Sequence, residues 1–249
     1  CELSPSESVL TNLIGTQNII AAVNGSSQPP KSVLFVSTDK ACSPVNVYGM
    51  CKAISERVVT SQAQTGNREV AFLAVRYGNV LESRGSIIPL FKYQSEHCEF
   101  LTVTDPDMTR FLMTLDDSVD LIEKTLESGF SGETWIPRLS AMKVGDLANI
   151  FSRRSGRQIK IIGLRPGEKK DEDLINESES VRTRSRGEYY VIDPAFRSGD
   201  NPRFTYSSNQ AVMDEQALEA YLERLGILDM KLAQFKGLTI EEIATNRKA

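Results

Sequence analysis

The sequence is poor in the residues that most often announce a site. It holds one histidine, His97. A single imidazole excludes clustered-histidine metal centres, and no metal site is expected. It also argues against a Ser-His-Asp triad, because His97 lies in the polar stretch 94–99 and reads as a surface residue. The four cysteines, Cys1, Cys42, Cys51 and Cys98, show neither paired nor zinc-like spacing. In a chain of 249 residues they predict free thiols in a reducing compartment, hence a cytoplasmic protein. No apolar run approaches the roughly 18 residues of a membrane-spanning helix, and no signal peptide opens the sequence. Neither sign of charge dominates: 29 Lys and Arg stand against 33 Asp and Glu, mixed along the chain. That balance gives no electrostatic reason to expect nucleic acid or an anionic membrane surface as a partner. Gly-x-Gly-x-x-Gly, the dinucleotide fingerprint, is also absent. The first residue is cysteine and no strand precedes the first helix, so the sequence is expected to be the C-terminal part of a longer protein.

What is present has an α/β rhythm. Residues 6–24 carry Val9, Leu10, Leu13, Ile14, Ile19, Ile20 and Val23 at helical spacing, and Gly25 ends the run. Val33 to Val36 is a continuous apolar run of strand length, which predicts a parallel strand buried on both faces. A helix over 47–64 and a buried strand over 70–77 follow. After about residue 80 the pattern shortens. Helices are expected at 115–128, with Thr114 as N-cap, and at 143–155, ended by Gly156. A strand is expected at 159–162. Residues 176–210 read as polar and turn-rich with one strand-like piece, Tyr189 to Ile192. Late helices are expected at 213–225 and 239–246, the second opened by a capping box from Thr239 to Glu242. The fold class is therefore α/β, a Rossmann-like doubly wound parallel sheet with its N-terminal part missing and a smaller C-terminal substrate-binding region. The expected division is 1–82 for the C-terminal half of a dinucleotide-binding domain, 83–200 for a substrate region partly interleaved with the sheet, and 201–249 for a helical tail.

The chemistry gathers where the first strand ends. In open α/β sheets ligands bind beyond the carboxyl ends of the strands. Ser37, Thr38, Asp39 and Lys40 lie at such an end, although a polar strand-to-helix turn has the same composition. Tyr48 and Lys52 are four apart on a helix and share a face. An ammonium beside a phenol favours the phenolate, which would let Tyr48 take a proton from a sugar hydroxyl.

Together with Ala41, Pro44, Asn46 and Gly49, these residues resemble the extended short-chain dehydrogenase/reductases. More narrowly they are similar to the inverting UDP-N-acetylglucosamine 4,6-dehydratases of the CapD/FlaA1-like polysaccharide biosynthesis branch. Further stretches carry the resemblance over roughly residues 1–195: Thr11 to Asn18, Arg76 to Val80, Ser83 to Ser86, Asp105 to Phe111 and Arg165 to Lys169. Lys40 distinguishes the branch, because the related retaining dTDP-glucose dehydratases carry glutamate there. Membrane-anchored relatives often have methionine where Tyr48 stands, so tyrosine favours the soluble group.

The resemblance implies roles. Tyr48, tuned by Lys52 and helped by Thr38, would take the proton of the sugar 4-hydroxyl as carbon 4 is oxidised by NADP, with NAD possible. Lys40 would remove the carbon-5 proton, and Asp39 would protonate the departing 6-hydroxyl. Lys40 reads alternatively as a cation that neutralises a diphosphate. Ser37, Tyr48, Lys52, Tyr77, Gly78, Asn79 and Val80 would contact the cofactor. Lys40, Asn79, Arg84, Gly85, Ser86, Thr104, Arg165 and Glu168 would contact a UDP-sugar, although Arg165 reads also as a surface arginine before a turn. Asn12 would match a helix-distorting asparagine. A homo-oligomer, dimer or hexamer, would form through the Tyr48 helix and its neighbour. The implied function is NADP-dependent 4,6-dehydration with inversion at carbon 5. A 4-epimerase of the same fold and a cofactor-less nucleotide-sugar-binding fragment are the alternatives. The fragment alone is expected to be inactive, because the main cofactor anchor would lie before residue 1.

Overall fold

The computed structural model describes residues 1–83 and 85–229. The chain divides into two compact units that interleave in sequence. Among the described residues the first is Cys1–Gly78, Met113–Leu139 and Gly167–Ser207; the second is Asn79–Leu112, Ser140–Pro166 and residues 208–229. This differs from the expected boundaries at 82 and 200. The reason is the first sheet, whose third strand, Thr134–Pro137, and whose terminal hairpin come from segments after residue 112.

In the first unit five strands run in the order Ser32–Val36, Ala71–Val75, Thr134–Pro137, Tyr189–Ile192, Thr183–Arg186. The first three are mutually parallel, with Leu34 opposite Leu73 and Val75 opposite Trp135; the last two are antiparallel. Side chains alternate across the sheet, so each face has its own core. Phe72, Val33 and Phe35 pack with Ile20 and Val59 of helices Gly15–Asn24 and Val47–Thr65. Val75, Trp135 and Val191 pack with Leu121 of helix Leu115–Ser128. Parallel strands covered by helices on both faces make the Rossmann-like arrangement that the rhythm predicts. Burial of Ser32–Val36 is the exception. It packs on both faces, Val33 and Phe35 on one and Leu34 on the other, but pairs with a strand on one side only among the described residues and is half-buried. Continuous apolarity reports a strand's face contacts and cannot report an edge.

Capping fixes the helix on the second face. The Thr114 hydroxyl accepts from the Asp117 amide at 3.0 Å, and the Asp117 carboxylate accepts from the Thr114 amide at 2.8 Å. The first helix is interrupted: Val9–Ile14 is a π-helical turn between Pro5–Ser8 and Gly15–Asn24. It falls at Asn12, as the resemblance implied. The Asn12 carbonyl accepts instead from the hydroxyls of Thr16, at 2.7 Å, and Ser55, at 2.9 Å.

In the second unit strand Phe100–Val103 runs parallel to Gln158–Ile161, and Thr109–Met113 pairs antiparallel with Ala141–Lys143. Helices Ile87–His97, Val144–Ser155 and Glu215–Arg224 supply a core of Ile88, Phe91, Leu147, Phe151 and Leu218. Gly156, at φ 71°, ends the second of these in the left-handed conformation that glycine adopts without a Cβ penalty. The helix expected at 239–246 lies outside the described residues. No helix among the described residues is long and apolar enough to cross a membrane.

Candidate active site

The site begins where strand Ser32–Val36 stops. The Ser37 amide donates to the Val75 carbonyl at 2.7 Å and the Asp39 amide to the Tyr77 carbonyl at 3.0 Å, so the ladder with the neighbouring strand guides the chain outward. Asp39–Ala41 then forms one 3-10 turn, capped by Thr38, whose hydroxyl accepts from the Lys40 amide at 3.4 Å. The tyrosine helix starts soon after. Asn46 caps it by accepting from the Gly49 amide at 2.8 Å. Gly49 is required by proximity: a Cβ there would lie 2.2 Å from the Lys40 carbonyl oxygen. Its absence lets the helix start press against the turn, and Tyr48 meets Thr38 in a side-chain hydrogen bond. Ser43 bridges turn and helix at φ 48°, a conformation strained for a residue with a Cβ.

Three charged side chains occupy this corner. The Lys40 ammonium lies 3.0 Å from Asp39 Oδ1 and 3.6 Å from Glu172 Oε1. The carboxylates are almost fully buried, at 1% and 4% side-chain exposure, whereas Lys40 is 33% exposed. Asp39 Oδ1 also accepts from the Thr38 hydroxyl at 2.9 Å, while Oδ2 is buried with no hydrogen-bond partner among the described residues. The buried Ser37 hydroxyl is in the same position. Orphaned buried polar atoms of this kind are costly in a closed protein and suit a site that meets a polar ligand.

Burial raises the Tyr48 phenol above its ordinary range; the Lys40 ammonium opposes this, the Asp39 carboxylate adds to it, and the Thr38 hydrogen bond opposes it. In this structure the Lys40 ammonium is the cation that acts to lower the Tyr48 phenol pKa. Lys52 turns to the strand end, where its ammonium donates to the Val36 carbonyl at 2.5 Å and lies 4.0 Å from the centre of the Phe35 ring. Burial lowers its pKa and Glu56, one helical turn on, raises it. Helical spacing puts Tyr48 and Lys52 on one face, but a carbonyl and an aromatic ring nearer the lysine decide where its head settles.

A strap beyond Gly167 closes over this turn. The Asn46 side-chain amide donates to the Gly167 carbonyl at 2.9 Å, Lys169 donates to the Cys42 carbonyl at 2.7 Å, and Glu172 reaches Lys40. Glu172 is the residue that the sequence reading missed. It sits in a polar stretch far along the chain from Lys40, and only the acidic residue after Arg165 to Glu168 could have hinted at it.

Of the remaining expected contacts, Tyr77, Gly78 and Glu168 belong to the first unit. Asn79, Val80, Gly85, Ser86, Thr104 and Arg165 belong to the second. Asn79 Oδ1 and the Ser86 hydroxyl are buried without a hydrogen-bond partner among the described residues. The Thr104 hydroxyl donates to the Met108 sulfur at 3.2 Å, Gly85 has φ 75°, and Arg165 and Glu168 are exposed. Arg84 lies outside the described residues.

The chain is similar to known nucleotide-sugar enzymes. An inverting UDP-N-acetylglucosamine 4,6-dehydratase of Campylobacter jejuni is 40% identical over 203 residues, 80% of this chain and 59% of that protein. A UDP-glucose 4-epimerase of Rickettsia bellii is 38% identical over 195 residues, 77% of this chain and 57% of that protein. The chain thus spans a little under three fifths of the length of either enzyme. The X-ray structure of Pen from Bacillus thuringiensis superposes with a TM-score of 0.84 at 35% identity, covering 92% of this chain and 72% of that one. The family model described as polysaccharide biosynthesis protein matches residues 1–194, and the chain belongs to that family.

Proposed function

We propose that the protein supplies the acid-base half of a nucleotide-sugar 4,6-dehydratase, acting on UDP-N-acetylglucosamine with inversion at carbon 5. The observation that carries this reading is the Asp39–Lys40 pair at 3.0 Å beside Tyr48. An epimerase needs only the tyrosine and a redox cofactor. An elimination needs also an acid and a base.

The residues present fit a nicotinamide cofactor, NADP or NAD. A lysine ammonium stands at the strand's carboxyl end, a tyrosine is linked to Thr38, and buried Ser37 and Asp39 oxygens lack partners among the described residues. Ser37, Tyr48, Lys52, Tyr77, Gly78, Asn79 and Val80 would hold it. Bound, it would supply a hydride acceptor for carbon 4 and a hydride donor for carbon 6. Tyr48 takes the 4-hydroxyl proton, with Thr38 holding the same oxygen. The resulting ketone acidifies carbon 5.

The ion pair is one proton transfer away from the state that elimination needs. Moving the proton along the Lys40–Asp39 contact leaves a neutral amine and a carboxylic acid. Lys40 then takes the carbon-5 proton, the electron pair left behind forms the carbon-5 to carbon-6 double bond, and the carbon-6 oxygen departs as water with the Asp39 proton. The pair returns to ammonium and carboxylate, and once carbon 6 has received hydride a solvent proton reaches carbon 5 on the face away from Lys40, which inverts that centre. Water exclusion by the buried carboxylates supports these transfers. Asn79, Gly85, Ser86, Thr104, Arg165 and Glu168 would contact the nucleotide-sugar, a guanidinium suiting phosphate and a carboxylate suiting ribose hydroxyls. Exposed Leu10, Met50 and Ile54 on the tyrosine helix and its neighbour support a homo-oligomer, which a purely monomeric sedimentation profile would exclude.

The test is incubation of the full-length gene product with UDP-N-acetylglucosamine. Loss of one water in the product mass supports the dehydratase. A second reading, a 4-epimerase, is favoured by the 38% identity to the Rickettsia bellii enzyme and would give a product of unchanged mass.

A further inference from the structure

We propose that Glu172 is a positioning residue for Lys40: its buried carboxylate holds the amine over the reacting carbon and balances the ammonium that forms when the carbon-5 proton arrives. The inference rests on the reading of Lys40 as base.

Three observations carry it. Glu172 is nearly fully buried, at 4% side-chain exposure, and its Oε1 stands 3.6 Å from the Lys40 ammonium. Burying a carboxylate is expensive unless a cation or hydrogen bonds compensate, so its place beside this amine is a specific one. Asp39 serves differently: it is uncharged until its proton reaches the leaving oxygen, and Thr38 and Lys40 already share its Oδ1. A second carboxylate, charged before Asp39 has given up its proton, is what the ammonium meets as it forms. Finally, the strap that carries Glu172 is fastened to the same turn by Lys169 on the Cys42 carbonyl and by Asn46 on the Gly167 carbonyl. The carboxylate is thereby held to the Lys40 backbone turn as well as to its side chain. Charged and titratable groups facing Lys40 include Asp39 on its own turn, Glu172 on the strap and the neutral Tyr48 phenol on the helix.

Removing the charge while keeping the shape tests this. In the full-length enzyme, Glu172→Gln should lower the plateau kcat about tenfold and leave KM for the nucleotide-sugar within about twofold. Its ammonium less stabilised, Lys40 should give up its proton more readily, so the acid limb of the kcat profile should move to lower pH by about one unit. Glu172→Asp keeps the charge and should leave that limb in place, at a cost of a few-fold in rate. It serves as the decisive variant should the glutamine form fail to fold. A glutamine variant with raised KM and an unmoved limb, or an aspartate variant whose limb moves, would overturn the proposal. Exchange of the carbon-5 proton in deuterated water separates the two levels. Failure of the wild type to exchange overturns the base reading itself. Equal exchange by wild type and Glu172→Gln overturns only the role of Glu172.

Discussion

Two buried ionic clusters in the same unit are built to opposite ends. Around Arg76 every donor is spoken for. Its guanidinium, 2% exposed, donates twice to Glu56, twice to Glu179 and once to the Leu174 carbonyl at 2.8 Å. Glu179 in turn caps a short helix and accepts from the Cys42 thiol at 3.7 Å. Around Lys40 the amine is a third exposed and one Asp39 oxygen is left without a partner among the described residues. The first arrangement joins helix, sheet and strap with bidentate geometry. The second leaves polar capacity unspent at a strand's carboxyl end, where a ligand can use it. Arg76 has its donors satisfied within the protein, whereas a buried Asp39 oxygen and the Ser37 hydroxyl have no partner among the described residues.

Arg76→Ala should break the first cluster with the largest effect. It leaves two carboxylates buried without their cation and should cost about 3–5 kcal/mol in urea denaturation. A loss under about 1 kcal/mol would erase the contrast. Lys40→Ala should shift the balance: dehydration falls at least about 100-fold, while the loss of the cation beside buried Asp39 and Glu172 lowers the denaturation midpoint less than Arg76→Ala does, because the Lys40 side chain is partly solvated. A Lys40→Ala variant that is destabilised yet dehydrates at the wild-type rate would assign both clusters to structure.

Acid should sharpen the comparison. Burial alone would raise the Glu179 pKa, but the Arg76 guanidinium, its hydrogen bonds and Arg57 together pull it from 4.5 down to about 2. A depressed folded value means stability that is complete above the unfolded value and lost as pH falls through the folded one. Unfolding free energy should therefore drop between about pH 4.5 and pH 2, and Glu179→Gln should flatten that part of the curve. The smallest effect is expected from the exposed ladder of the second unit, where Arg154 meets Glu219 at 3.1 Å and also contacts Glu223. Arg154→Ala should leave the midpoint unchanged in high salt.

How far each region could be read from sequence follows the range of its interactions. Helix Leu115–Ser128 was legible because its cap, Thr114 to Asp117, is local. The turn and the tyrosine helix were legible because strand end, cap and Tyr48 lie within one short segment. Helix Ile87–His97 was hidden, since Pro89 in its first turn looks like a breaker but needs no intrahelical donor there. Partial interleaving was expected, but the bounds of the two units were hidden, because strand pairing between residues 74–75 and 134–135 leaves no mark in either segment alone. Glu172 was missed for the same reason: its meaning lies in Lys40, which only the folded chain brings near.

The central claim is that Asp39 and Lys40 carry out an elimination. The most direct measurement is mass spectrometry and NMR of the product that the full-length gene product makes from UDP-N-acetylglucosamine in deuterated water. The account predicts loss of water and a single solvent deuteron at carbon 5, both abolished in Lys40→Ala. A product of unchanged mass without deuterium at carbon 5, or deuteration that survives in Lys40→Ala, would contradict it.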